Sequence, residues 1–263
     1  MEKESTSTPP HITVKDLSMA YGDFVLMRDL NFTISHGDRF VIMGGSGSGK
    51  STLMRHMIGL MEPARGEIRY EGESFTKASP AERHRILRRL GVMYQGGALW
   101  SSMTLEENIA LPLEKYSSHT EGQIASIVRY KLALVGLAGF GGYYPSEISG
   151  GMAKRAAVAR ALALEPEVLL LDEPSSGLDP LSSRRLDETI LELSETLGMT
   201  IVVVTHDLDS IFTIATHSVF LDANSKTQAA VGNPVDLRDH ARSDTVRRFL
   251  SRTLQNTEEE VTS

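Results

Sequence analysis

Arg39-Phe40-Val41-Ile42-Met43-Gly44-Gly45-Ser46-Gly47-Ser48-Gly49-Lys50-Ser51-Thr52 passes from an apolar strand, through a loop of glycine and serine, into a helical pattern that continues to about Leu60. Gly44, four residues, Gly49, Lys50 and Ser51 have the spacing of a phosphate loop, and the strand before and helix after are its required context. Glycine lets the backbone curl until successive N–H groups and the helix N-terminus converge, which favours an anion. Lys50 can reach the β- and γ-phosphates of a nucleotide, and the Ser51 hydroxyl is a hard ligand for Mg²⁺. The expected nucleotide-binding segment is therefore Gly44, Gly45, Ser46, Gly47, Ser48, Gly49, Lys50, Ser51 and Thr52.

Outward from this loop, the same logic repeats. Ile12, Val14 and Leu17 alternate as in a strand, and the run from Leu30 to Met43, broken by His36-Gly37-Asp38, predicts two strands and a tight turn. Ile68 to Tyr70 and the polar stretch after it predict a small β-rich lobe. From about Met103 to Leu164 the pattern is helical, interrupted near Gly139 to Pro145. Val168 to Leu171 and Thr200 to Val204 are short apolar runs separated by a helical stretch near Leu186 to Leu197, the pattern of a buried parallel sheet with helical crossovers. Val168-Leu169-Leu170-Leu171 ends in Asp172-Glu173, which puts two carboxylates at the carboxyl edge of the sheet, where nucleotide chemistry is performed. Asp172 is expected to hold Mg²⁺, directly or through water, and Glu173 to polarise the water that attacks the γ-phosphate.

Composition narrows the field. The chain has 263 residues, 41% apolar and 23% charged, ample for a folded core. A net charge of −7 argues against coating nucleic acid or an anionic membrane. Arg83, Arg85, Arg88 and Arg89 form the dense basic run, and their helical spacing reads as a solvated helix face. There is no cysteine, which excludes disulfides, thiolate metal sites and thiol catalysis. No apolar run approaches the roughly 18 residues that span a bilayer, and Met1 to Pro10 lack the apolar core of a signal peptide, so the chain is expected to stay in the cytosol.

Ile148-Ser149-Gly150-Gly151-Met152, followed by Ala153 to Leu162 just ahead of the carboxylate strand, resembles the signature of the ATP-binding cassette (ABC) family. The resemblance extends over roughly residues 12 to 225. It implies a phosphate-loop α/β fold with a mainly parallel sheet core, an antiparallel β subdomain and an inserted helical subdomain at about 96–165. It also implies ATP and Mg²⁺ as ligands, and a head-to-tail homodimer in which Ser149, Gly150 and Gly151 bind the γ-phosphate of ATP held by the other protomer. Tyr21 matches the aromatic that stacks on adenine, Gln95 the residue that contacts Mg²⁺ and water, and His206 the γ-phosphate sensor. Ser176-Gly177-Leu178-Asp179 resembles the loop that crosses the dimer interface. Met152 departs from the Gln of many members, but the phosphate-binding groups are intact, so activity is expected to survive.

Gly96-Gly97-Ala98-Leu99-Trp100 after Gln95, with Tyr144-Pro145-Ser146-Glu147 ahead of the signature, is similar to the ATPases of the Mla (maintenance of lipid asymmetry) class. That resemblance implies phospholipid transport between bacterial membranes from the cytoplasmic side of the inner membrane. It further implies a permease, a periplasmic MCE lipid-binding protein and a small STAS-domain protein as partners. A solute importer or exporter would share every catalytic residue, and a non-transport ABC protein usually has two cassettes or a coiled-coil insertion, neither present here. Residues 1–10 are expected to be disordered, 11–225 to form the ATPase domain, and 226–263 to form an extension with an acidic tail at Thr257 to Ser263. Within it Val246, Phe249, Leu250 and Leu254 make a narrow apolar stripe, either an interaction element or a helix packed on its own domain.

Overall fold

The computed structural model describes residues 9–251, so Leu254, the acidic tail and most of the expected disordered N-terminus lie outside the described residues. Two sheets are built. β1 (Ile12–Tyr21), β2 (Phe24–Ile34), β4 (Arg65–Tyr70) and β5 (Glu73–Ser74) form an antiparallel sheet in the order β2-β1-β4-β5. β3 (Arg39–Gly44), β6 (Leu90–Met93), β7 (Val168–Asp172), β8 (Thr200–Val204), β9 (His217–Asp222) and β10 (Thr227–Gly232) form the other, in the order β10-β9-β3-β8-β7-β6. In it β9, β3, β8, β7 and β6 run parallel, and β10 closes the edge antiparallel to β9.

The central strands show why the sequence reads as a run of apolar residues rather than an alternation. Every residue of β7 and β8 is buried, because both faces of a parallel sheet are covered. Successive residues of β3 serve opposite layers. Phe40 and Ile42 face Leu17, Leu30 and Ile34 of the antiparallel sheet and Leu53, Met54 and Met57 of α1 (Lys50–Met57). Val41 and Met43 face the helices on the other side, chiefly α5 (Gly150–Ala161) and α6 (Pro180–Leu197). Between β6 and α5 lie α3 (Leu105–Tyr116) and α4 (Glu121–Leu134), each opened by a reciprocal capping box, Thr104 with Glu107 and Thr120 with Gln123.

Register fixes the functional edge. Ile42 pairs with Val204 and Asp172 pairs with Val204, so the carboxyl ends of β3, β8 and β7 lie side by side. The glycine-rich loop, the carboxylates and the residues just after Val204 emerge along one edge.

Two features depart from the simpler expectation. The core does not stop near residue 225: β10 pairs with β9, and α8 (Pro234–His240) and α9 (Asp244–Leu250) follow it. Val246, Phe249 and Leu250 are buried in the core of their own domain, with the Phe249 ring edge-on to Phe220 at 5.1 Å between centroids. The described part of the apolar stripe is therefore covered from within, and these three residues are not an exposed partner surface. The basic run is also more than a solvated face. On and after α2 (Pro80–Leu87), Arg83 pairs with Glu62, Arg85 with Glu73, and Arg89 with both Glu71 and Glu167, so three of its four charges are paired within the chain, while Arg88 lies over the Tyr116 ring.

Candidate functional site

The phosphate loop turns on Gly44, whose φ of 149° lies at the edge of the positive region; a Cβ there would meet the Leu221 carbonyl oxygen at 2.4 Å and Ser48 Oγ at 2.7 Å. Only glycine fits that approach. The loop ends at Gly49, which caps α1 in the left-handed conformation and offers no side chain to the first-turn amides. Helices α2 to α6, α7 (Leu208–Ile214) and α8 all receive a side-chain cap, and α1 has neither cap nor first-turn acid. Its amides and dipole are thus left for an anion from outside the chain. Gly45, Ser46 and Gly47 are exposed, and a Cβ on Gly45 or Gly47 would meet nothing within 4 Å, so open space lies over the loop. Ser48 Oγ is buried without a hydrogen-bond partner.

Lys50 Nζ donates to the carbonyls of Gly44 (3.0 Å) and Gly45 (3.1 Å) and lies 3.9 Å from Glu173 Oε1. Burial pulls the Lys50 ammonium below the ordinary lysine range, while Glu173 and Asp172 oppose that shift. Ser51 Oγ donates to Asp172 Oδ1 at 2.8 Å. Burial pushes the Asp172 carboxyl up, and the Ser51 bond draws it back. Two hard oxygen donors side by side, with a carboxylate among them, suit Mg²⁺.

Glu173, 8% exposed, leaves the strand with φ at 46°, a left-handed conformation that costs a non-glycine residue roughly 1–2 kcal/mol. Its backbone N–H donates to the Val204 carbonyl (2.8 Å), which holds the turn. That turn brings the carboxylate to His206, whose Nδ1 donates to both Glu173 oxygens at 2.9 Å. The strain is thus stored where a carboxylate, an ammonium and an imidazole meet.

The other expected residues are arranged more loosely. Tyr21 ends β1 with its ring 49% exposed and its hydroxyl 3.3 Å from Thr52 Oγ1, so it flanks the start of α1. Gln95 follows β6, exposed, and its side chain makes no hydrogen bond to Ser51, Asp172 or Glu173. Ser149 caps α5 by accepting from the Met152 N–H (3.3 Å), and Gly150 and Gly151 face Leu178 and Ser182 beside the start of α6. Among the described residues no hydrogen bond joins Ser149, Gly150 or Gly151 to the phosphate loop of the same chain. Sequence reasoning missed Lys154. It reaches from α5 to the Gln95 carbonyl, and its ammonium, lowered by burial, is drawn back up by Asp172 and Glu173. Nothing in the spacing of the signature singles out that lysine, because its partner lies on another segment.

The chain matches the ABC transporter family over residues 27–176. It is 39% identical to the intermembrane phospholipid transport system ATP-binding protein MlaF of Haemophilus influenzae, over 80% of each chain. The Escherichia coli K12 protein of that name is 38% identical over 85% of each. The probable ribonucleotide transport ATP-binding protein mkl of Mycobacterium tuberculosis is 42% identical over 75% of this chain but only 55% of its own length, so the chain spans little more than half of that relative. A dimeric ATP-binding cassette solved in a post-hydrolysis state with ADP and Pi superposes with a TM-score of 0.76 at 27% identity, covering 84% of this chain and 98% of that one. The cbiO1 protein of Clostridium perfringens, part of the ABC transporter complex cbiONQ, superposes with a TM-score of 0.81 at 25% identity, over 97% of this chain and 100% of its own.

Proposed function

Because the chain belongs to the ABC transporter family, we propose that it is the ATP-binding and ATP-hydrolysing subunit of a transporter that moves phospholipid, working as a head-to-tail pair under a membrane permease. The observation that carries the catalytic part is the convergence of Lys50, Ser51, Asp172, Glu173 and His206 on one sheet edge beside an uncapped helix N-terminus.

In this reading the amides of the loop and of α1 bind the phosphates, and Lys50 exchanges its two carbonyl partners for β- and γ-phosphate oxygens. Ser51 and Asp172 would hold Mg²⁺, with Gln95 as a further ligand, and the ion would supply charge neutralisation for the phosphates. Glu173 takes a proton from the attacking water, and His206 holds that carboxylate through Nδ1–H. The γ-phosphate oxygens are acceptors, so sensing by His206 requires that Nε2 carry a proton as well. Tyr21 offers its exposed ring to adenine. Ser149, Gly150 and Gly151, which make no hydrogen bond to the loop of their own chain among the described residues, would close the site of the partner protomer, in keeping with a C₂ pair with two composite sites. A mixture of Lys50→Ala chains with Ser149→Arg chains then restores at most one working site per heterodimer. Full activity in a monomeric preparation would sink this model.

Phospholipid as cargo rests on the similarity to the two MlaF proteins. Among the described residues no helix is long and apolar enough to cross a membrane. The similarity to the MlaF proteins supports a permease as partner, and we propose that through it this subunit works with MCE and STAS-domain proteins at the cytosolic face of the inner membrane. Trp100, 59% exposed and set between Gly96-Gly97-Ala98 and α3, is the proposed anchor. The Mycobacterium relatives favour a second reading, ribonucleotide transport. The two are separated by purifying the complex: phospholipid that co-purifies and stimulates ATP hydrolysis supports the first, and stimulation by a ribonucleotide alone supports the second.

A further inference from the structure

Helix α5 grips the segment that follows Gln95, and it does so through backbone oxygens. Lys154 donates to the Gln95 carbonyl. Farther along the helix the Arg160 guanidinium donates through Nη2 to the Gly97 carbonyl at 3.0 Å and through Nη1 to the Ala98 carbonyl at 2.5 Å. Between these two residues of α5, Ala157 supports the buried Gly97, whose Cβ position lies 3.3 Å from the Ala157 Cβ. On the other side Asn108 of α3, wholly buried, accepts from the Trp100 N–H at 2.7 Å and donates to the Trp100 carbonyl at 3.1 Å. Exposed Trp100 therefore stands on a short arc with one foot on α5 and the other on α3. We propose that Arg160 is a positioning residue for this arc: by holding Gly97 and Ala98 in shape it sets where Trp100 stands, and it passes displacements of α5 to Trp100.

The backbone needs such a hold. Gly97 and Ala98 have φ of 72° and 52°, two left-handed residues in succession, and Ala98 meets there a steric strain that glycine escapes. A planar guanidinium bonds two oxygens at once in a fixed fork, which an ammonium does not. Arg160 is given over to this task. Among the described residues it forms no salt bridge, and its hydrogen bonds go to these two carbonyls alone. It is also half-buried, and burial lowers its pKa from the ordinary arginine value, with Tyr94 opposing. A desolvated cation without a counter-charge is unfavourable as packing, so what arginine contributes here is the bond to both carbonyls.

The two ends of the path are those of the proposed function, on which this inference rests: Ser149, Gly150 and Gly151 open α5 and meet the partner's nucleotide, and Trp100 meets the permease. Arg160 adds the connection. When the N-terminus of α5 engages a phosphate, the carbonyls of Gln95, Gly97 and Ala98 are drawn along by hydrogen bonds instead of by loose packing alone.

Trp100 is the sole tryptophan of the chain, so its fluorescence reports on the arc with no permease present. In the nucleotide-free full chain, Arg160→Gln should free the segment to open locally and raise acrylamide quenching of Trp100 by about half or more. Arg160→Lys keeps the charge without the fork, should show the same loss of protection, and serves where Arg160→Gln does not fold. Adding Ala98→Asn to Arg160→Gln should restore the protection, because asparagine adopts the left-handed conformation readily. In chains that also carry Glu173→Gln, ATP and Mg²⁺ should change Trp100 emission as the pair closes. Arg160→Gln should cut that change by about twofold or more while ATP affinity stays within about twofold. Unchanged quenching in both Arg160 variants, a loss that Ala98→Asn does not restore, or Trp100 emission that ignores ATP in the closed pair overturns the proposal. The anchor reading fails by a different result, Trp100→Glu that stays bound to the permease in the purified complex.

Discussion

At the carboxyl edge of the central sheet Lys50 is buried, held by two carbonyls and only 3.9 Å from Glu173, with helix α1 uncapped beside it. At the amino edge Arg89 is shared between Glu71 and Glu167, with Nε and Nη2 donating to their carboxylates. Both edges gather opposite charges, but the first leaves amides, an ammonium and a buried serine hydroxyl without a final partner, while the second neutralises itself. Unfilled polar capacity in a buried setting is costly unless something else binds. The difference separates a surface built to receive phosphate from one built to hold two sheets together, and it can be broken or sharpened by substitution.

The largest effect is expected at Glu173. In Glu173→Gln the amide can hold water but not draw off its proton, so hydrolysis should fall by about 10²–10⁴-fold. Nucleotide affinity should be unchanged, and the pair should accumulate in its ATP-bound dimer. Single-turnover hydrolysis and equilibrium binding measure the two separately. A rate within about threefold of wild type, less than ~1 kcal/mol of barrier, would remove Glu173 from the role of base.

Next comes Lys50→Ala, where nucleotide affinity should fall by about 1.5–3 kcal/mol, the worth of a charged hydrogen bond. Stability of the nucleotide-free chain should change by less than ~1 kcal/mol, because removing a buried ammonium relieves desolvation as it gives up two carbonyl partners. A large drop in melting temperature would show that this edge, too, is built for stability.

A third carboxylate near the same edge gives a pH signature. Asp187 of α6 accepts from Ser210 Oγ (2.9 and 3.1 Å), and burial pushes its pKa up to about 6, the Ser210 bond opposing and Asp207 and Asp209 adding to the rise. The folded chain then holds a proton that the unfolded chain has released, so stability falls as pH rises from about 4 to 6 and the full penalty persists above that window. Asp187→Asn, which keeps an acceptor for Ser210, should be more stable than wild type at pH 7.5 by on the order of 2 kcal/mol. The gain should vanish near pH 4. Urea denaturation at both pH values checks it, and a gap that does not close on acidification would rule out ionised Asp187 as its source.

The carboxyl edge was legible in sequence because its groups are contiguous: Gly44 to Thr52 is one segment, and Asp172-Glu173 end one strand. Its geometry adds what spacing could not, such as the left-handed turn that carries Glu173 to His206. The amino edge was not legible. His11, His36, Glu71, Arg89 and Glu167 come from five places in the chain and obey no periodicity, so only the register of two sheets reveals them as neighbours. Similarly, Val246, Phe249 and Leu250 announce an apolar stripe, but whether a partner or their own domain covers it depends on where β10 turns the chain.

The smallest effect, and the cleanest contrast, is expected from Arg89→Ala. The guanidinium is partly exposed, as are both carboxylates, so each pair is worth little in water, and their loss together with the repulsion left between Glu71 and Glu167 should lower stability by about 1 kcal/mol. Nucleotide affinity should not move, the mirror image of Lys50→Ala. If nucleotide affinity falls as well, the two edges are coupled through the sheet, and the division between a receiving edge and a self-neutralising one is the wrong description of this fold.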